Sequence, residues 1–148
     1  MSLVSALLGR GAEGLPPPAP LDFGSLALPR SPNVALAAPA GHALAARAHL
    51  TSPPYPVPAE RLFETLLALV EGFPRCHRMG AWPERRQAQW VERSRWMNFP
   101  DLIWAEAVPL PEGSGLLLLS RSLLGWSDFG VNRARAARWL EALEVAVR

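Results

Sequence analysis

The stretch that decides the fold is Ser120-Arg121-Ser122-Leu123-Leu124-Gly125-Trp126-Ser127-Asp128-Phe129-Gly130-Val131-Asn132-Arg133-Ala134-Arg135. Before it, Leu116 to Leu119 is an unbroken apolar run that reads as a strand. After it, Ala136, Trp139, Leu140, Leu143 and Val147 recur at helical spacing, which predicts a helix over about 132–146. A strand therefore hands over to a helix across this loop. Gly125 and Gly130 suit backbone angles that side chains disfavour. Asp128 and Asn132 are placed to cap the helix by accepting its first free backbone N–H groups. Ser127 and Arg133 can complete a hydrogen-bond network with Asp128. The same residues also have a functional reading. A glycine-containing loop feeding a helix N-terminus, with Arg121, Arg133 and Arg135 nearby, is a ready anion site. Backbone demands explain most of the residues, so the structural joint outweighs the binding site.

Working outward, period-2 patterning and turn residues predict strands at about 76–82, 87–97, 102–109 and 115–121, joined by the turns Pro83-Glu84, Asn98-Phe99-Pro100-Asp101 and Pro111-Glu112-Gly113-Ser114. Such short connections make an antiparallel meander. A helix over about 59–71 presents Leu62, Phe63, Leu66, Leu67, Leu69 and Val70 as a wide apolar face and stops at Gly72. Alternation over 43–50 predicts a first strand. The expected fold class is α+β, a two-layer domain with an antiparallel meander of about four to five strands and two helices packed on one face. Eleven of the 16 prolines precede residue 59. Residues 1–30 accordingly read as a Pro-rich, poorly ordered leader or linker, and 31–148 as a single α+β domain. Gly9-Arg10-Gly11-Ala12-Glu13-Gly14 matches a dinucleotide fingerprint by letter, but Leu15-Pro16-Pro17-Pro18 follows where a helix would have to start, and the match fails.

The run from Gly125 to Arg135 resembles the G-x-S-D-x-G-V-N-R-x-R signature of the family known as domain of unknown function 1499 (DUF1499). The resemblance begins near Pro32-Asn33, where members carry a Pro-Asn-Cys-Val-like motif; this chain has Val34 in place of the cysteine. Members also tend to carry an R-S-x-S-R stretch before the signature. Here it reads Leu119-Ser120-Arg121-Ser122-Leu123, with both flanking arginines replaced by leucine. If those arginines bind an anion in relatives, the resemblance implies weaker anion binding here. It covers about residues 31–146 and implies no known activity.

The 148 residues are 49% hydrophobic and 19% charged, which marks a globular chain of one domain. All 15 basic residues are arginine and the formal net charge is +2. The surplus lies in residues 75–148, with eleven arginines against eight acids, a mild lean towards anionic partners. Arg75, Arg78, Arg85, Arg86, Arg93 and Arg95 interleave with Trp82, Trp90 and Trp96. On a continuous strand over 87–97, Trp90 and Trp96 share one face with Glu92, and Arg93 and Arg95 share the other. The tryptophans are therefore expected inward and the arginines on a solvated sheet face. A base-stacking platform wants both on one face, so nucleic acid is not an expected partner.

One cysteine, Cys76, excludes an internal disulfide framework, and no run reaches the roughly 18 apolar residues of a membrane span. A soluble, cytoplasmic protein of bacterial type is the expectation. His42, His49, His77 and Cys76 are too scattered for a metal motif, and no motif calls for a cofactor or a nucleophile. Asp101, Glu106 and Asp128 have no spacing that pairs them. The leading expectation is a non-catalytic binding or scaffold module. Its candidate residues are Arg121, Ser127, Asp128, Gly130, Asn132, Arg133 and Arg135, and its partner a small anion or an apolar ligand. Two alternatives stand beside it: an enzyme using Asp128 as acid or base with Arg133 as anion clamp, and an apolar-ligand pocket between sheet and helices, among the six tryptophans.

Overall fold

The spine of the molecule is a long hairpin, β5 (Pro100–Leu110) and β6 (Gly113–Ser122), paired antiparallel from Asp101↔Ser122 to Leu110↔Gly113. A computed structural model describes residues 2–125 and 127–148 of the chain; Trp126 of the signature lies outside the described residues. Around the hairpin the other strands are β1 (Val34–Pro39), β2 (Leu50–Ser52), β3 (Cys76–Trp82) and β4 (Gln87–Arg93). They form one six-stranded sheet in the order β2-β1-β6-β5-β4-β3. All neighbours are antiparallel except β1 and β2, which makes the sheet mixed.

Two longer helices, α2 (Ala59–Val70) and α3 (Val131–Ala146), pack on one face. Leu62, Phe63, Leu66 and Val70 of α2 and Ala136, Trp139, Leu140 and Leu143 of α3 meet Trp90, Ile103, Ala105, Leu116 and Leu118 of the sheet. Trp139 stands edge-on to both Trp90 and Phe73, with ring centroids 5.3 and 5.4 Å apart. The space between sheet and helices, where the sequence suggests an apolar-ligand pocket, is thus filled by large rings from both layers. Among the described residues no helix is long and apolar enough to cross a membrane.

The α+β class and the last four strands follow the pattern read from the sequence; three features depart from it. The first strand is 34–39 rather than 43–50. Val34 to Pro39 is buried on both faces, so it carries no alternation to detect. The alternating residues at 43–50 instead make a crossover with a single 3₁₀ turn at Ala45–Arg47, and that crossover returns the chain parallel to β1. The sheet is consequently six-stranded and mixed, not a purely antiparallel meander of four or five strands. Third, β4 ends at Arg93. Residues 94–99 form a turn in which Asn98 takes φ +54°, and Trp96 swings out to 83% exposure.

The sheet face opposite the helices is covered rather than solvated. Residues 2–30, with the one-turn-and-a-half helix α1 (Leu3–Leu8), lie along it. Gln87 and Gln89 bond the backbone of Leu21 and Ala19, and Trp104 Nε1 donates to the Ala19 carbonyl. The Arg93 guanidinium donates to the carbonyls of Ala6, Gly11, Glu13 and Asn98. Phe23 packs with Leu36, Leu117 and Leu119 in a second core. An arginine expected in water is therefore nearly sealed beneath the N-terminal segment, its desolvation offset by four backbone acceptors.

Candidate functional site

The signature is built where β6 stops and α3 begins. Gly130 precedes the helix with φ +84° and Phe129 before it also sits at φ +54°, two consecutive left-handed residues that reverse the chain. An added Cβ at Gly130 meets no atom within 4 Å, so the demand for glycine there comes from backbone angle alone. Asp128 closes the turn. Its Oδ1 accepts from Gly130 N at 2.8 Å, and its Oδ2 from Asn132 N at 3.0 Å and Asn132 Nδ2 at 2.7 Å. Partial burial alone would raise its carboxyl pKa. The bonds donated by Asn132 and Gly130 outweigh burial and hold it below the ordinary value.

Asn132, fully buried in the first turn of α3, is the hub. Its Oδ1 accepts from Ser120 Oγ at 2.6 Å and from Arg135 Nη1 at 2.9 Å. Its amide nitrogen faces Ser122 Oγ at 2.8 Å and the Asn33 carbonyl at 3.2 Å. The Asn33 side chain in turn donates to the Gly125 carbonyl at 2.7 Å, and Asn33 O accepts from Ser122 N. Asn33, noted in the sequence only as part of a family motif, thus ties the start of β1 to the signature ninety-odd residues later. The two serines of the Leu119-Ser120-Arg121-Ser122-Leu123 stretch supply the hydroxyls, while Leu119 joins the second core.

Arg135 extends the network inward. It is 4% exposed, with Nε 2.6 Å from Glu92 Oε2 and Nη1 2.9 Å from Asp101 Oδ2. Glu92 and Asp101 are register partners on β4 and β5. Like charges directly opposite on neighbouring strands destabilise a sheet, and Arg135 is the counter-charge that makes this pair tolerable. Arg138, mostly exposed, adds a second guanidinium to Glu92 at 2.9 Å. Burial raises the Asp101 carboxyl pKa, and Arg135 and Ser122 only partly offset it. For Arg135 burial acts to lower the pKa, but the two carboxylates win and raise it.

The candidate residues fall into two groups. Asp128, Asn132 and Arg135 are consumed by internal bonds, and Ser127 Oγ accepts from Phe129 N at 3.3 Å. Arg133 is exposed and stands outside the Asp128 network. It faces a hollow of about 330 Å³ shared with Pro32, Val34, His49, Ser127, Asp128 and Gly130. Burial and then the Arg133 charge lower the pKa of His49. Arg121 alternates with Ser120 and so lies on the opposite face of the sheet. The three arginines of the signature do not converge on one point. Glu92 and Asp101, the missed members of the site, had a faint signal. Extending the buried stripe of α3 back from Trp139 and Ala136 reaches Arg135 and Asn132, and a buried arginine needs acids.

On the outer side of the joint a pocket of about 280 Å³ opens between the 94–99 turn and residues 122–131. Phe99, Leu124, Phe129 and Val131 give it apolar walls, with Ser94, Ser122, Asp101 and Asp128 at its polar edge. Among the described residues no cluster of three His, Cys, Asp or Glu side chains is set to hold a metal ion.

Three solved structures resemble this fold in part. Protein MLL2253 from Mesorhizobium loti is 13% identical with a TM-score of 0.46, the likeness covering 64% of this chain and 91% of that one. Protein CV1439 from Chromobacterium violaceum is likewise 13% identical, at a TM-score of 0.45 and the same coverage. Protein TTHA0849 from Thermus thermophilus is 16% identical at 0.34, covering 63% and 91%. Among curated proteins no sequence matches. The model of the family "Protein of unknown function (DUF1499)" matches residues 26–143, a span that takes in Asn33, Glu92, Asp101 and the whole signature: the chain belongs to the DUF1499 family.

Proposed function

We propose that this protein is a non-catalytic binding module in which the signature is the rigid frame and the pocket beside it takes a small apolar group. One observation carries the reading: the 280 Å³ pocket has walls of Phe99, Leu124, Phe129 and Val131, and at its polar edge Asp101 and Ser122 are already bonded to Arg135 and Asn132 of α3. Ligand pockets run from about 300 to 1,000 Å³, so this one suits a short acyl chain or a single ring rather than a nucleotide. The state of Asp128 argues against the enzyme alternative. Both carboxylate oxygens already accept hydrogen bonds and its pKa is lowered, which makes it a poor proton acceptor. Residues 31–148 are taken as the folding unit and the segment before them as its cover.

The test is a thermal melt of the full chain against octanoate, octanol and octylamine. A ligand at a hundredfold excess over its Kd adds about 2.7 kcal/mol, several degrees for a domain of this size. The shift should disappear in Leu124→Trp, which fills the pocket. No shift with any of the three ends the reading. A second reading has one observation behind it, the closeness of Arg133 to His49 in the 330 Å³ hollow, which suits a small anion. A melt raised by inorganic phosphate and restored to baseline by Arg133→Ala would select it instead.

A further inference from the structure

The exposed large hydrophobic side chains of the described residues are not scattered. Leu3, Val4 and Leu8 lie on α1, Trp96 and Met97 at the tip of the 94–99 turn, and Phe129 at the joint, where it is 96% exposed. Phe99 and Val131, the lips of the pocket, complete the set, and Val145 alone lies elsewhere. The three segments are neighbours. Asn98 Nδ2 donates to the Leu7 and Gly9 carbonyls of the α1 end at 2.6 and 2.9 Å. Ser94 and Phe99 face Leu124 and Phe129 across the pocket, and Leu123 N reaches the Pro100 carbonyl. An apolar crown thus rims one end of the molecule, drawn from three places far apart in sequence.

The charges on those segments are mostly positive. Residues 2–10, 94–99 and 121–133 carry Arg10, Arg95, Arg121 and Arg133 against the single carboxylate of Asp128, which is turned to its own backbone. None of these four arginines has a carboxylate within ion-pair distance among the described residues. The Arg95 guanidinium lies over the Trp96 ring, 4.7 Å from its centroid, so the most exposed tryptophan carries a cation on its face. A globular protein surface seldom shows so many uncovered apolar side chains together. Aromatic and aliphatic tips rimmed by arginine are the chemistry of the bilayer interface, where rings sit at headgroup level and guanidinium groups meet lipid phosphate. We infer that this end of the molecule docks on the surface of an anionic lipid bilayer, with α1, the 94–99 turn and Phe129 entering the headgroup region. The inference goes beyond the pocket reading and stands without it, since Leu8, Trp96 and Arg95 do not line the pocket.

The experiment is flotation of the full chain with vesicles of phosphatidylcholine alone and of phosphatidylcholine mixed equally with phosphatidylglycerol. The chain is expected to float with the mixed vesicles, to float far less with the neutral ones, and to be released by high salt. Leu8→Ser with Trp96→Ser should lower partitioning by roughly tenfold or more, since two large apolar tips are lost. The melting temperature should stay put, because both tips are exposed. Arg95→Gln with Arg133→Gln should weaken binding to the mixed vesicles only. A chain that stays at the bottom with both vesicle types overturns the inference. So does a double serine variant that floats like the parent, or self-association through this end in place of vesicle binding.

Discussion

Replacing Arg135 with alanine withdraws the guanidinium between Glu92 and Asp101 and leaves two carboxylates facing each other across neighbouring strands. They are 8% and 6% exposed, so water cannot take over the lost role. Stranding a buried charge costs about 3–5 kcal/mol, and Arg138, still on Glu92, places the expectation near the lower end at about 3 kcal/mol. With a urea m-value of about 2 kcal/mol/M, the unfolding midpoint should fall by about 1.5 M. The deficit should depend on pH. Burial already raises the Asp101 carboxyl pKa against the pull of Arg135, and losing Arg135 raises it further. A carboxyl whose folded pKa lies above its unfolded one stabilises the fold when protonated and loses that contribution as pH rises through the folded value. The gap between variant and parent should therefore narrow as pH is lowered from neutral through the raised Asp101 value. Asp101→Asn in the Arg135→Ala background should recover part of the loss, showing coupling rather than additivity. A cost below about 1 kcal/mol that is flat with pH would refute the claim that this ion network holds the joint together.

Three further outcomes follow from the same geometry. Asp128→Asn should cost about 1 kcal/mol and Asp128→Ala somewhat more, read by urea denaturation, because three donors at the start of α3 lose a charged acceptor. The Asp128 carboxyl is lowered from 3.8, so its contribution is complete above that value and is lost as pH falls through the folded one; parent and Asp128→Asn should converge in acid. Gly130→Ala should cost about 1–2 kcal/mol by the same assay through backbone strain alone, and Gly130→Asn less, since asparagine tolerates the left-handed region. Burial, then the Glu92 charge, pushes the Cys76 thiol up to about 12. At neutral pH it should react with a disulfide reagent far more slowly than free cysteine, and rapid labelling of the native chain would contradict its placement.

Much of the architecture was legible because the C-terminal half obeys simple periodicities. The last four strands begin where alternation and turn residues place them, though β4 stops at Arg93 rather than 97, and α2 and α3 begin and end within a residue or two of their sequence signals. What was hidden depends on residues that look alike from both sides. Val34 to Pro39 is buried above and below, so an inner strand presented itself as a plain apolar run. The alanines of 43–50 alternate without being in a sheet, because alanine pattern says little about pleating. Gln87, Gln89 and Arg93 read as a wet face because nothing in their own stretch announces that residues 2–30 will cover them. In the site, the backbone roles of Asp128 and Gly130 were readable, since capping is local. The ion network was not, because Glu92, Asp101 and Arg135 meet only once three elements have assembled.

That assembly has an order in time. During synthesis the sheet strands, which carry Glu92 and Asp101, emerge from the ribosome before Arg135 does. Until α3 is released, the nascent chain carries two carboxylates with no guanidinium between them and an Asn33 whose hydrogen-bond partners at Gly125, Ser122 and Asn132 come from the last strand, the loop and the last helix. The sheet cannot close fully on its acids ahead of that moment without the cost of a stranded charge. The signature, made after all six strands, therefore brings the cation that lets the centre of the sheet become dry.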